Sequence, residues 1–146
     1  MLRKNPLVND QYYHIYNRGV EKRDIFMGDD DRYRFMHDLW EFNDKNYTPP
    51  FIRRTGGKLL DYRYPTDNGN PRVKLVDIIC FCLMPNHFHF LIKQVIDGGI
   101  SMFMKKMGIG YANYFNTKYE RSGALFQGCY KSKLIDNDAY LTHLTK

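Results

Sequence analysis

A chain of 146 residues is one domain's worth of sequence, long enough to bury about two-thirds of its unfolded surface without disulfide or metal staples. Lys and Arg number 22 against 16 Asp and Glu, for a net charge of +6, and 16% of residues are aromatic, which excludes a disordered tail and leaves no room for a two-domain enzyme. No apolar run approaches the roughly 18 residues of a bilayer span, the basic N-terminus lacks the apolar stretch of a secretory signal, and three scattered cysteines suit a reducing cytosol.

Residues 11–17 alternate aromatic and β-branched side chains and predict a strand, ended by Asn17-Arg18-Gly19. Residues 29–45 predict a helix. Asp29, Asp30 and Asp31 suit its positive end, and Phe35, Leu39 and Phe42 recur at helical spacing beside Met36 and Trp40. Residues 46–72 read as an excursion from the core, with turn signals at Pro49-Pro50, Gly56-Gly57 and 67–71 and a short strand from Lys58 to Tyr64. Residues 73–84 and 87–93 are two apolar strands joined by Pro85-Asn86, a hairpin. After the break at Asp97-Gly98-Gly99, residues 100–117 carry a helical stripe of Ile100, Phe103, Met104, Met107, Tyr111, Tyr114 and Phe115. Gly108 and Gly110 each weaken that helix by about 1 kcal/mol relative to Ala, and close packing is the usual reason to keep such glycines. Residues 124–135 read as a loop feeding a strand, and Asp136-Asn137-Asp138 as the cap of a last helix over 139–146. The order β, α, β, β, α, β, α predicts an α+β, ferredoxin-like split βαβ fold in a single domain, 1–146. Its central antiparallel sheet carries a His-Phe-His pair, and the C-terminal helix is an addition to the basic fold.

The charge is uneven. Residues 29–45 carry a local −3, residues 52–74 a local +4 and residues 100–135 a local +5. The last stretch interleaves Lys105, Lys106, Lys118, Arg121, Lys131 and Lys133 with aromatics such as Phe126 and Tyr130. That pattern fits a polyanion whose bases stack on rings, and equally a solvated basic face over an aromatic core. The sharpest chemical feature is His87-Phe88-His89. Alternate residues of a strand share a face, so the two imidazoles point the same way, about 6.6 Å apart at Cα. They can converge on one divalent ion, or simply sit on a half-exposed sheet face. His14, on the first strand, is a weaker candidate for a supporting role. His37 and His143 fall on helices and read as surface residues.

The string Met84-Pro85-Asn86-His87-Phe88-His89-Phe90-Leu91-Ile92 resembles the signature of the single-tyrosine HUH transposases. HUH stands for His, a hydrophobic residue, His. Four further segments resemble that family in order: 13–19 its first strand, 99–116 its second helix, 123–132 its LFQG-containing loop, and 136–141 the opening of its last helix. The branch most alike is that of the REP-associated tyrosine transposases, among the IS200-like transposases. The resemblance runs from about residue 11 to the end, with residues 46–72 unmatched.

The resemblance implies a bacterial DNA transposase, an endonuclease and strand transferase acting on single-stranded DNA with hairpin or palindromic repeats. It implies that His87 and His89 bind Mg2+ or Mn2+, which polarises the scissile phosphate, while a tyrosine attacks to leave a 5′-phosphotyrosine. Lys131, Lys133, Arg121, Lys105 and Arg18 would contact phosphate and Tyr130 would stack on a base. The family's spacing puts the nucleophile at position 147, one past Lys146, so the expectation is a C-terminal helix truncated before its tyrosine. Tyr140 is the fallback, but seven residues are about 10 Å along a helix, too far for one phosphate without a register change. The expectation is therefore a chain that binds DNA and metal but cleaves poorly. The competing readings are a non-catalytic ferredoxin-like module for single-stranded nucleic acid and a metal-dependent hydrolase. A homodimer and a cytoplasmic location are both compatible with the sequence.

Overall fold

A computed structural model describes residues 6–46 and 71–136. Strand β1 (Tyr12–Arg18) leads through a 3-10 turn (Val20–Lys22) to helix α1 (Asp29–Glu41). Strands β2 (Val76–Met84) and β3 (His87–Gln94) form the expected hairpin, followed by α2 (Gly99–Lys118) and β4 (Lys131–Ile135). The strands lie in the order β2-β3-β1-β4, each antiparallel to its neighbour. This is the α+β split βαβ arrangement read from the sequence. The expected strand at 58–64, the last helix, Tyr140 and His143 lie outside the described residues. Among the described residues no helix is long and apolar enough to cross a membrane.

Both helices pack on one face of the sheet. Phe88, Phe90 and Ile92 alternate along β3 toward that side and are buried, as are Tyr13 and Ile15 of β1. Phe35 of α1 meets the Phe88 ring at 5.3 Å and the Tyr111 ring of α2 edge-on at 5.0 Å. The period of two along the strands thus meets the helical stripes in one aromatic core.

Helix α1 ends at Glu41 rather than residue 45, because Asn43 has a different task. Its buried side chain accepts the N–H groups of Leu75 and Val76 at 3.0 and 2.9 Å and donates to the Val76 carbonyl at 2.8 Å. Asp44 accepts the Val73 N–H, and Asn46 donates to the Pro71 carbonyl at 2.7 Å. One hydrogen-bonded clamp therefore joins residues 43–46 to residues 71–76. The same clamp explains why β2 starts at Val76 and not at residue 73.

The three aspartates that open α1 are not equivalent. Asp31 is fully buried. It accepts from the Met27 N–H at 2.8 Å, Tyr114 Oη at 2.8 Å, Tyr119 Oη at 2.6 Å and Lys118 Nζ at 2.9 Å. One carboxylate thus takes up the N–H of Met27, just ahead of α1, and ties that end to the end of α2. The two glycines of α2 also part company. A Cβ on Gly110 would stand 2.4 Å from the Phe42 ring, so its absence permits close helix packing, whereas a Cβ on Gly108 would meet nothing within 4 Å.

Candidate functional site

The face of the sheet away from the helices gathers the chemistry. Register places Tyr16 opposite His89 and Arg18 opposite His87 across β1 and β3. On the far side of β1, Lys131 stands opposite Tyr16 and Lys133 opposite His14. On the other flank, Cys82 of β2 faces His89 and Met84 faces His87. One surface therefore carries two central histidines, a third beside them, two tyrosines and four cations, Arg18, Lys93, Lys131 and Lys133. Tyr12 and Tyr16 are 38% and 37% exposed; Arg18 at the end of the interior strand β1, and Lys131 and Lys133 on the edge strand β4, are exposed too.

The His87 and His89 rings lie 5.0 Å apart between centroids, edge to face. Each has a polar neighbour at Nδ1. Asn86 Oδ1 lies 2.7 Å from His87 Nδ1, while Asn86 Nδ2 donates to the Lys22 carbonyl. That second bond orients the amide so that its oxygen meets the ring, and an amide oxygen can only accept. Nδ1 of His87 is thereby the donor, and Nε2 is the ring nitrogen left for a ligand. His89 Nδ1 lies 2.9 Å from His14 Nε2, and the two rings stack at 5.1 Å. Burial, followed by the neighbouring His87, lowers the pKa of His89. Burial also lowers that of His14, with His89 and Lys133 contributing. Both are neutral at physiological pH, the state in which imidazole ligates a metal.

The supporting role of His14 was a minor expectation, and the structure puts it in contact with the pair. Asn86 reads in the sequence only as a turn residue. The signal that marks it is its place just before the first histidine, where a carboxamide can reach back to the ring.

The remaining expected site residues divide into two groups. Arg18, Lys131 and Lys133 share the histidine face, and Arg18 also donates to Gln127 at 2.8 Å. Lys105 and Tyr130 instead line a cavity between α2 and the 126–130 loop, on the helix side of the sheet. Arg121 donates to Asn116 at 2.6 Å and to the Ala124 carbonyl at 3.2 Å, bracing the turn after α2.

His37 is not the surface residue its helical position suggested. It is half-buried, with Nδ1 3.2 Å from Glu41 Oε2, because α1 turns that flank inward. With Asp38 it forms a His37-Asp38-Glu41 group on α1, in the helix layer rather than on the histidine face. Burial raises the Asp38 pKa to about 7 against the pull of Arg34, and Glu41 adds to the rise.

This geometry can be set beside known proteins. A family profile described as "Transposase IS200 like" matches residues 72–146. A REP-associated tyrosine transposase solved bound to a REP hairpin is similar in fold, with a TM-score of 0.58 and 10% identity over 99% of this chain and 67% of that one. A candidate transposase from Deinococcus radiodurans is similar too, with a TM-score of 0.54 and 12% identity over 99% of this chain and 94% of that one. No curated protein matches the sequence significantly. The profile covers more than half of the chain, including β2, the histidine hairpin, α2 and β4, and the chain belongs to the family of IS200-like transposases.

Proposed function

We propose that the chain acts on single-stranded DNA as a tyrosine transposase of the HUH class, with His87 and His89 holding one divalent cation. The observation that carries this reading is the pair of Nδ1 contacts. Asn86 fixes the His87 tautomer, and a proton on His89 Nδ1 donated to His14 gives His89 the same form. Each histidine then presents Nε2 as a lone pair, in the pattern by which outer partners orient metal-binding histidines. Two imidazoles suit Mn2+ at least as well as Mg2+, which prefers oxygen. When bound, the ion polarises a non-bridging oxygen of the scissile phosphate.

The chain's own residues do the rest. Arg18 at the end of β1 and Lys131 and Lys133 on edge strand β4 offer cations to the DNA backbone, and release of counterions there supports affinity. Tyr12 and Tyr16 offer ring faces to bases splayed across the sheet. A tyrosine of the segment after β4 attacks phosphorus. The P–O bond to the departing 3′-hydroxyl breaks as the phosphotyrosine bond forms, so bond energy is kept for rejoining. Tyr140 is the candidate within this sequence, and position 147 is where the family's spacing calls for it.

The test is a Mn2+ titration followed by electron paramagnetic resonance. One ion should bind the wild type and none the His87→Ala/His89→Ala variant. Equal uptake by both proteins would overturn the metal role. The exposed Tyr12 and Tyr16 also suit a second reading, a non-catalytic binder of single strands. That reading predicts DNA binding unaffected by EDTA.

A further inference from the structure

A cavity of about 320 Å³ opens beside the sheet edge, on the helix side. Ser101, Met104, Lys105 and Gly108 line it from α2, at the i, i+3, i+4 and i+7 spacing of one helix face. Asn17 at the end of β1 and Tyr130 just before β4 close the other side. Gly128, at the turn of the loop, adopts a φ of +66°, and its carbonyl accepts from Asn17 Nδ2 at 3.2 Å. With Phe35 of α1 and Phe88 of β3, the cavity wall is built from four elements and the 126–130 loop, and is pinned by a side chain.

Gly108 is the telling residue. A glycine inside a helix costs about 1 kcal/mol relative to alanine, and at Gly110 the Phe42 ring accounts for it. A Cβ at Gly108 would meet nothing within 4 Å. What glycine does there is keep the cavity wall bare.

We infer that this cavity receives one unstacked nucleobase from the single strand bound on the sheet, which rests on the DNA reading given above. Its volume lies at the low end of small-ligand pockets, roughly 300–1,000 Å³. Its lining is mostly apolar, as a base face requires, with the Ser101 and Tyr130 hydroxyls 3.4 Å apart and the Asn17 amide for a base edge. No acidic residue lines it, and Lys105 stands at its rim. Asn17 and Tyr130 directly precede Arg18 and Lys131, the cations of the histidine face, so a strand on that face has a short path into the cavity.

Methionine methyl NMR tests this on the full chain, because Met104 and Met107 line the cavity while Met27 is an exposed control. The probes are a random-sequence DNA octamer and an abasic octamer with the same phosphates. The DNA octamer should shift Met104 and Met107, and the abasic octamer should bind without shifting them. Gly108→Leu places a side chain where a Cβ meets nothing within 4 Å, and circular dichroism establishes that the variant is folded. It should lose these shifts and bind the DNA octamer about tenfold more weakly, the scale of one stacked base. Equal shifts with both octamers, no shift with DNA that binds, or unchanged affinity in a folded Gly108→Leu protein would overturn the inference. Failure to bind either octamer would overturn the DNA reading together with it.

Discussion

Replacing Asp31 by alanine removes the acceptor for four hydrogen bonds, one each from Met27, Tyr114, Tyr119 and Lys118. The carboxylate is fully buried, whereas the Lys118 side chain is 31% exposed. The ammonium can therefore turn to water, but the buried Tyr114 hydroxyl loses its acceptor. Breaking a buried ion pair from one side costs about 3–5 kcal/mol, and the partial exposure of Lys118 puts the expected loss near the lower end. Small domains hold only about 5–15 kcal/mol in total. With a urea slope of about 1–3 kcal/mol/M, the unfolding midpoint should fall by roughly 1–3 M. A loss below about 1 kcal/mol would refute the assignment of Asp31 as the tie between the helices. The pH dependence offers a second check. Burial alone would raise this carboxyl's pKa, but the hydrogen bonds from Tyr119, Lys118, Met27 and Tyr114 outweigh it and hold the pKa low. A depressed folded-state pKa means the stabilisation is complete above the ordinary carboxylate value of about 3.9. It drains away as pH falls through the lower folded value. The Asp31→Ala protein should lack that acid-induced loss.

Asp38 works in the opposite sense and in a different window. Its pKa is raised to about 7, so the folded chain holds the proton more tightly than the unfolded one. Stability should therefore fall as pH rises from about 4 to 7, by at most about 4 kcal/mol, and urea midpoints of Asp38→Asn should flatten across that range. The two glycines of α2 should respond with opposite signs in thermal melts. Gly108→Ala should stabilise by about 1 kcal/mol, and Gly110→Ala should destabilise by about 1–3 kcal/mol as the buried Phe42 ring is forced aside. Asn86→Leu removes the acceptor that fixes the His87 tautomer. Calorimetric Mn2+ affinity should drop about tenfold or more, with little change in melting temperature.

The order of elements was legible because each periodicity is local. Strand residues alternate and helical residues recur within a few positions, so β3 and α2 could be placed from their own sequence. The histidine pair was legible for the same reason. The contact between His14 and His89 was not, because it depends on the register of strands 75 residues apart. Asn43 was assigned to α1 on helical period alone. Its hydrogen bonds go to Leu75 and Val76, 32 and 33 residues away, which no local pattern announces. Asp29, Asp30 and Asp31 look alike in sequence, and only the tertiary fold buries the third. Gly108 and Gly110 are equally indistinguishable until Phe42 is seen against one of them.

The central claim is that the histidine face binds single-stranded DNA together with a divalent ion. Fluorescence anisotropy of a labelled single-stranded oligonucleotide bearing a hairpin tests it most directly, with Mn2+ and with EDTA. The account predicts tight, salt-sensitive binding that weakens in EDTA and in His87→Ala/His89→Ala alike, with no additional effect of EDTA on the variant. Identical affinities in Mn2+ and EDTA for the wild type would contradict it.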